Sequence, residues 1–133
     1  MKRTVSLFIA FALCLVLCAC GDVSQVERVY VDSEIFSQED INSAEDVVID
    51  EFKSGWNGCS LKKLYYAGDS WAKEFEYWKK RYNADEAIVL LSTFDVDSSG
   101  GDGSLNPNST YEDFNWILVR SNGGKWEHKD HGY

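Results

Sequence analysis

The run AIVLLSTFDV, Ala87 to Val96, decides the reading of this chain. It alternates nothing: apolar side chains would fall on both faces of a strand, as expected for a strand covered on both sides. Downstream, Tyr111 to Arg120 sends Phe114, Trp116 and Leu118 to one face and Ile117 and Val119 to the other. Ser121-Asn122-Gly123-Gly124 then spells a tight hairpin, and Lys125 to Tyr133 supplies a closing strand. Three antiparallel strands in succession are therefore expected from Ala87 onward.

Upstream of that run the period changes from 2 to 3.6. Ser37-Gln38-Glu39-Asp40 is an N-cap followed by early acids, which suit the positive end of a helix. Ile41, Ala44, Val47, Val48 and Phe52 form one apolar stripe, and Ser54-Gly55 is expected to end it with a left-handed glycine cap. Trp56-Asn57-Gly58 reads as a turn and Cys59 to Tyr66 as a short strand. Asp69 or Ser70 caps a second helix whose Trp71, Phe75, Trp78 and Tyr82 share a face, with Asn83 at its end. The expected fold class is α+β: two helices packed on one face of a curved, mainly antiparallel sheet of about four strands, over residues 37 to 133.

The first twenty residues, MKRTVSLFIAFALCLVLCAC, belong to a different logic. Lys2 and Arg3 precede an apolar run that Gly21-Asp22 ends too soon for a membrane span of about 20 residues. Leu17 is too bulky for an ordinary signal cleavage site, whereas Leu17-Cys18-Ala19-Cys20 resembles the bacterial lipobox. That resemblance implies a signal peptide over residues 1 to 19, a diacylglyceryl group on Cys20 and attachment to the outer side of the cell membrane. Two acyl chains suffice for a durable anchor, at about 0.8 kcal/mol per buried methylene. Residues 20 to 36 are then the lipidated cysteine and a tether, and a dozen residues at about 3.3 Å each would span roughly 40 Å. Within it, Val29, Tyr30 and Val31 are apolar enough to dock.

Loss of Lys2 and Arg3 leaves 11 basic against 22 acidic side chains, a net charge of −11. A field of that sign repels phosphate backbones and excludes nucleic acid as a natural partner. With Cys14 and Cys18 removed and Cys20 lipidated, Cys59 has no disulfide partner and is expected as a small buried hydrophobe.

Two stretches carry candidate chemistry. In FDVDSSGGDGSLNPNSTY, Phe94 to Tyr111, Asp95, Asp97 and Ser99 fall at positions 1, 3 and 5 of a calcium loop, with Gly100 at position 6. Position 12, where such a loop places a bidentate acid, holds Asn106, for which Asp102 could substitute. The competing reading is a polar hairpin loop. In the last strand, Trp126, His128 and Asp130 alternate onto one side, with Trp116 across from them. That set could line a ligand pocket, and a His128–Asp130 pair could act as acid and base there. The plainer reading leaves both histidines exposed near the chain end. No nucleophile–base triad, phosphate-cradling glycine loop or zinc spacing is present in the sequence.

The order of elements and the closing Trp126…Gly132-Tyr133 resemble the nuclear-transport-factor-two-like fold, a cone-shaped sheet wrapped around helices. The runs Ala84 to Tyr111 and Trp116 to Tyr133 are more similar still to a family of small, uncharacterised lipoproteins of Gram-positive bacteria. The resemblance implies a fold and a location but carries no catalytic residues. The functional expectation is a lipid-anchored, non-catalytic binding module for an unknown small molecule or protein. A small cone-fold enzyme using His128 and Asp130 is the rival, and a sheet-to-sheet homodimer would account for strands apolar on both faces.

Overall fold

A computed structural model describes residues 20 to 133; the signal-peptide reading of residues 1 to 19 lies outside the described residues. Strand β1 (Glu27–Val29) leads to helix α1 (Gln38–Gly55), strand β2 (Cys59–Tyr66) and helix α2 (Ala72–Tyr82). Strands β3 (Glu86–Val96), β4 (Thr110–Arg120) and β5 (Glu127–Gly132) follow. The sheet runs in the order β1-β2-β3-β4-β5 and is mixed: β1 is parallel to β2, and the remaining neighbours are antiparallel.

The α+β class, the two helices and the four longer strands match the sequence expectation. The fifth strand does not, and the reason is local. All three residues of β1 are exposed, so it forms a sheet edge without leaving an apolar period to detect. The segment read as a tether is likewise laid against the domain. The Gly21 amide donates to the Lys53 carbonyl at 3.1 Å, and Asp22 exchanges bonds with Cys59 and Leu61 at 2.9 and 2.8 Å. Phe36 is core, packed against Tyr66, Phe75 and Trp126. Of the three residues expected to dock, Val29 pairs with Tyr65 and Val31 is partly buried, while Tyr30 is exposed.

Helix α1 begins as its sequence requires: Ser37 Oγ accepts from the Asp40 amide at 3.0 Å. It ends differently. Gly55 is still helical, Trp56 closes the last turn on Phe52 at 3.1 Å, and the left-handed glycine comes later, at Gly58. The positive φ of 74° is not the only demand there. A Cβ at Gly58 would stand 2.6 Å from Ser99 Oγ, because the 97–106 loop crosses directly over this turn. Helix α2 is preceded by a 3₁₀ turn (Asp69–Trp71), and Asn83 ends it in the left-handed conformation.

The core lies between α1 and the sheet face that carries Leu64, Leu90, Phe94 and Trp116, all at 0% exposure. Phe52 of α1 meets Phe94 and Trp116 at 5.8 and 6.4 Å. Leu91, Ile117 and Val119, which point the other way, are buried too. The strands apolar on both faces, which suggested a sheet-to-sheet dimer, are thus covered within one chain. At the N-terminal end of α1, Arg120 bonds Glu86 at 2.5 Å and Asp40 at 3.1 Å, and its guanidinium lies 4.2 Å over Trp126. One side chain so ties α1 to β3, β4 and the approach to β5.

Glu45 departs from the apolar stripe. It is 3% exposed and its Oε2 has no hydrogen-bond partner. Burial pushes its carboxyl from 4.5 up to about 7, against the attraction of Arg28, whose guanidinium is held by Asp46 at 2.5 Å. The folded state therefore takes up this proton more readily than the unfolded chain. The penalty is absent below pH ~4.5, grows as pH rises to about 7, and reaches on the order of 3 kcal/mol above it. Glu45→Gln should raise the urea midpoint at pH 8 and lose most of that advantage at pH 4. An equal effect at both pH values would show that folding does not shift this carboxyl's pKa.

Candidate functional site

One end of the domain gathers a cluster of aromatic rings around the half-buried Trp56. Trp56, immediately after α1, lies flat on Phe52 at 5.5 Å and 6°. Its edges meet Phe114, Trp116 and His131 at 5.6, 5.1 and 5.1 Å. Beside it opens a cleft of about 390 Å³. Trp56, Phe114 and Leu105 give it apolar walls, and Glu51, Asp102 and His131 supply its ionisable groups. That volume lies within the range of small-molecule sites, about 300–1,000 Å³.

The sequence alternation on β5 predicts His128 and Asp130 on one side, and a bulge breaks it. Ile117 pairs with Asp130 and Leu118 with His128, leaving Lys129 unpaired between them. One extra residue turns Asp130 to the opposite face and brings His131 beside His128 instead. The two imidazoles stack at 5.2 Å and 16°, with His131 Nδ1 and His128 Nε2 3.2 Å apart. His128 Nδ1 is 3.9 Å from Glu51 Oε1 on α1. Asp130 is exposed, and its carboxylate accepts from the His131 amide at 2.9 Å. Burial, then the neighbouring His131, hold His128 below the usual histidine range. Glu51, His128 and His131 therefore form a polar line that leads from α1 to the cleft wall.

The other predicted site residues separate. Trp116 is fully buried and donates its Nε1 proton to Ser92 Oγ at 2.8 Å, so it supports the histidines from beneath. Trp126 sits at the opposite end of α1, against Phe36 and Arg120, away from the cleft. Cys59 is buried, as expected, and burial followed by Asp97 and Asp102 pushes its thiol up to about 11.

The four calcium-loop candidates are each engaged locally. Asp95 accepts from Thr110 Oγ1 at 2.7 Å. Asp97 Oδ1 accepts from the Ser99 amide and hydroxyl at 2.9 and 2.5 Å, and Asp102 Oδ1 takes the same two bonds from Ser104. These bonds lower the pKa of both aspartates. Ser99 is a donor to Asp97 and not a convergent ligand. Among the described residues, no three His, Cys, Asp or Glu side chains form a group that could hold a metal ion. The loop instead folds on its own aspartates in two Asx turns. Asp97→Ala should accordingly lower the melting temperature by the same few degrees with and without millimolar calcium. A calcium-dependent rise in the unmodified protein that the substitution abolishes would restore the cation site.

Glu51, Trp56, Phe114 and Leu105 were not singled out by sequence reasoning. The one available signal was an aromatic residue directly after a helix-ending Ser-Gly. No protein-family model matches the chain, and no curated protein or solved structure does either.

Proposed function

We propose that this chain is a lipid-anchored, extracytoplasmic module that binds a small organic cation in the cleft beside Trp56, without catalysing a reaction on it. The observation that carries this reading is the composition of the cleft. Glu51 and Asp102 line it together with Trp56 and Phe114, and no lysine or arginine among the described residues lines it. An aromatic face attracts a cation through its quadrupole, at about 0.5–2 kcal/mol depending on desolvation. Helix α1 adds the partial negative charge of its C-terminal end, because Gly55 and Trp56 border the same cleft. The bonds from Ser104 keep Asp102 ionised.

Binding is favoured over catalysis because the cleft offers no activated nucleophile: its cysteine is buried with a raised pKa, and His128 faces Glu51 instead of Asp130. A curved sheet of the cone-like, nuclear-transport-factor-two-like kind is supported by bulges in three successive pairings, at 61–63, 92–94 and 117–118. Anchorage at Cys20 is supported by its exposure.

Choline and its uncharged isostere 3,3-dimethylbutanol test the ligand class directly through Trp56 fluorescence. Choline should perturb the emission at least tenfold more tightly than the isostere, and Glu51→Gln or Asp102→Asn should each weaken it about three- to tenfold. Equal affinity for the two probes, or no response to either, contradicts a cation site.

A further inference from the structure

The anchor position and the cleft lie at the same end of the domain, and almost no chain separates them. Cys20 borders a shallow hollow with Asp22, Gly58, Ser60, Asp95 and Asp97. Its successor, Gly21, is already fixed: the amide is bonded to Lys53 at the end of α1, and a Cβ there would sit 2.2 Å from the Phe52 carbonyl oxygen. Asp22 then bridges to Ser60 in parallel register. The turn at Asn57 and Gly58 lies between the hollow and the cleft, with Cys59 bordering both. At the far end of α1 stand Arg120, Gly124 and Lys125. That end is about 27 Å away, the length of an 18-residue helix at 1.5 Å per residue.

We propose that the domain stands directly on the membrane that holds its lipid, with the cleft end against the headgroup layer and the 121–124 hairpin pointing away. This rests on the reading of Cys20 as the lipidated residue. A flexible tether would let the domain tumble and sample a sphere of orientations; a single residue between the lipid and a hydrogen-bonded backbone does not. The occupant of this face is the headgroup layer itself, brought there by the chain's own anchor. The face is acidic, with Asp22, Asp95, Asp97, Asp102 and Glu51 around it, so it abuts the headgroups without inserting. It lies closest over zwitterionic lipid and is lifted over anionic lipid at low salt, where the screening length is longest. Ligands reach the cleft from the membrane surface.

The test uses the full lipidated chain in phosphatidylcholine vesicles doped with a headgroup spin label. A fluorophore is placed through Asn57→Cys at the cleft rim or Lys125→Cys at the far end; Cys59 is buried and Cys20 is blocked by lipid, so labelling is specific. Quenching at position 57 should exceed that at position 125 by at least threefold. Inserting twenty Gly/Ser residues between Cys20 and Gly21, a coil with an end-to-end distance of about 25 Å, should equalise the two. Replacing a third of the lipid by phosphatidylglycerol at low salt should reduce quenching at 57. Equal or reversed quenching while the protein floats with the vesicles overturns the orientation and leaves the anchor standing. Failure to float, with an unmodified Cys20 by mass, removes the anchor and the orientation together. Choline binding by the unlabelled protein in detergent, with Asn57 intact, is unaffected in either case.

Discussion

Among the described glycines, Gly21 is the most tightly enclosed. Any side chain there would collide with the backbone of Phe52, and its amide closes on the last turn of α1. The requirement arises because the chain must pass beneath the helix end to lie beside β2. Once Gly21 is seated, the next residues have little freedom: Asp22 completes the edge of β2, β1 extends it, and Phe36 enters the core. A segment with no hydrophobic period becomes part of the domain through backbone bonds, aided by single contacts such as Phe36 in the core and Val23, Val26 and Val31 packed against it.

Helix α1 links the two ends of the molecule. Its N-terminal end is neutralised internally, by Ser37 at the cap and by Arg120 between Asp40 and Glu86. Its C-terminal end carries Lys53 in the last turn, but on the cleft side Glu51 and Asp102 add negative charge to the carbonyl dipole. The same helix carries Glu45 into the core at a cost in stability. Asymmetry of this kind favours the proposed cation site at one end of the protein and leaves the other as a charge-balanced joint.

Most of the fold was legible because its signals are periodic. Residues 87–96 and 111–120 read as strands, and their pairing through Leu90 and Trp116 follows from that pattern. Asn122-Gly123 and Asn83 adopt the left-handed conformations their residue types suggest. What escaped detection depends on single-residue insertions and tertiary contacts. The bulge at Lys129 exchanged Asp130 for His131 beside His128, and nothing in EHKDHG distinguishes a bulged strand from a regular one. The cleft is assembled from a helix end, a loop and a strand far apart in sequence, so Glu51, Trp56, Leu105 and Phe114 shared no motif. In the calcium-like stretch, Asp97 and Asp102 close Asx turns and Asp95 bonds Thr110 across the strand pair; such turns favour the same residue types as a cation loop.

Hydrogen exchange at Asp22 and Leu61 bears most directly on whether the proposed anchor and the domain form one rigid body. In the protein carrying the proposed lipid, the Asp22 amide donates to the Cys59 carbonyl and the Leu61 amide to Asp22, so both should exchange as slowly as the neighbouring amides of β2. Exchange of Asp22 at the rate of an unstructured peptide, with β2 still protected, would mean that a free tether joins Cys20 to the domain.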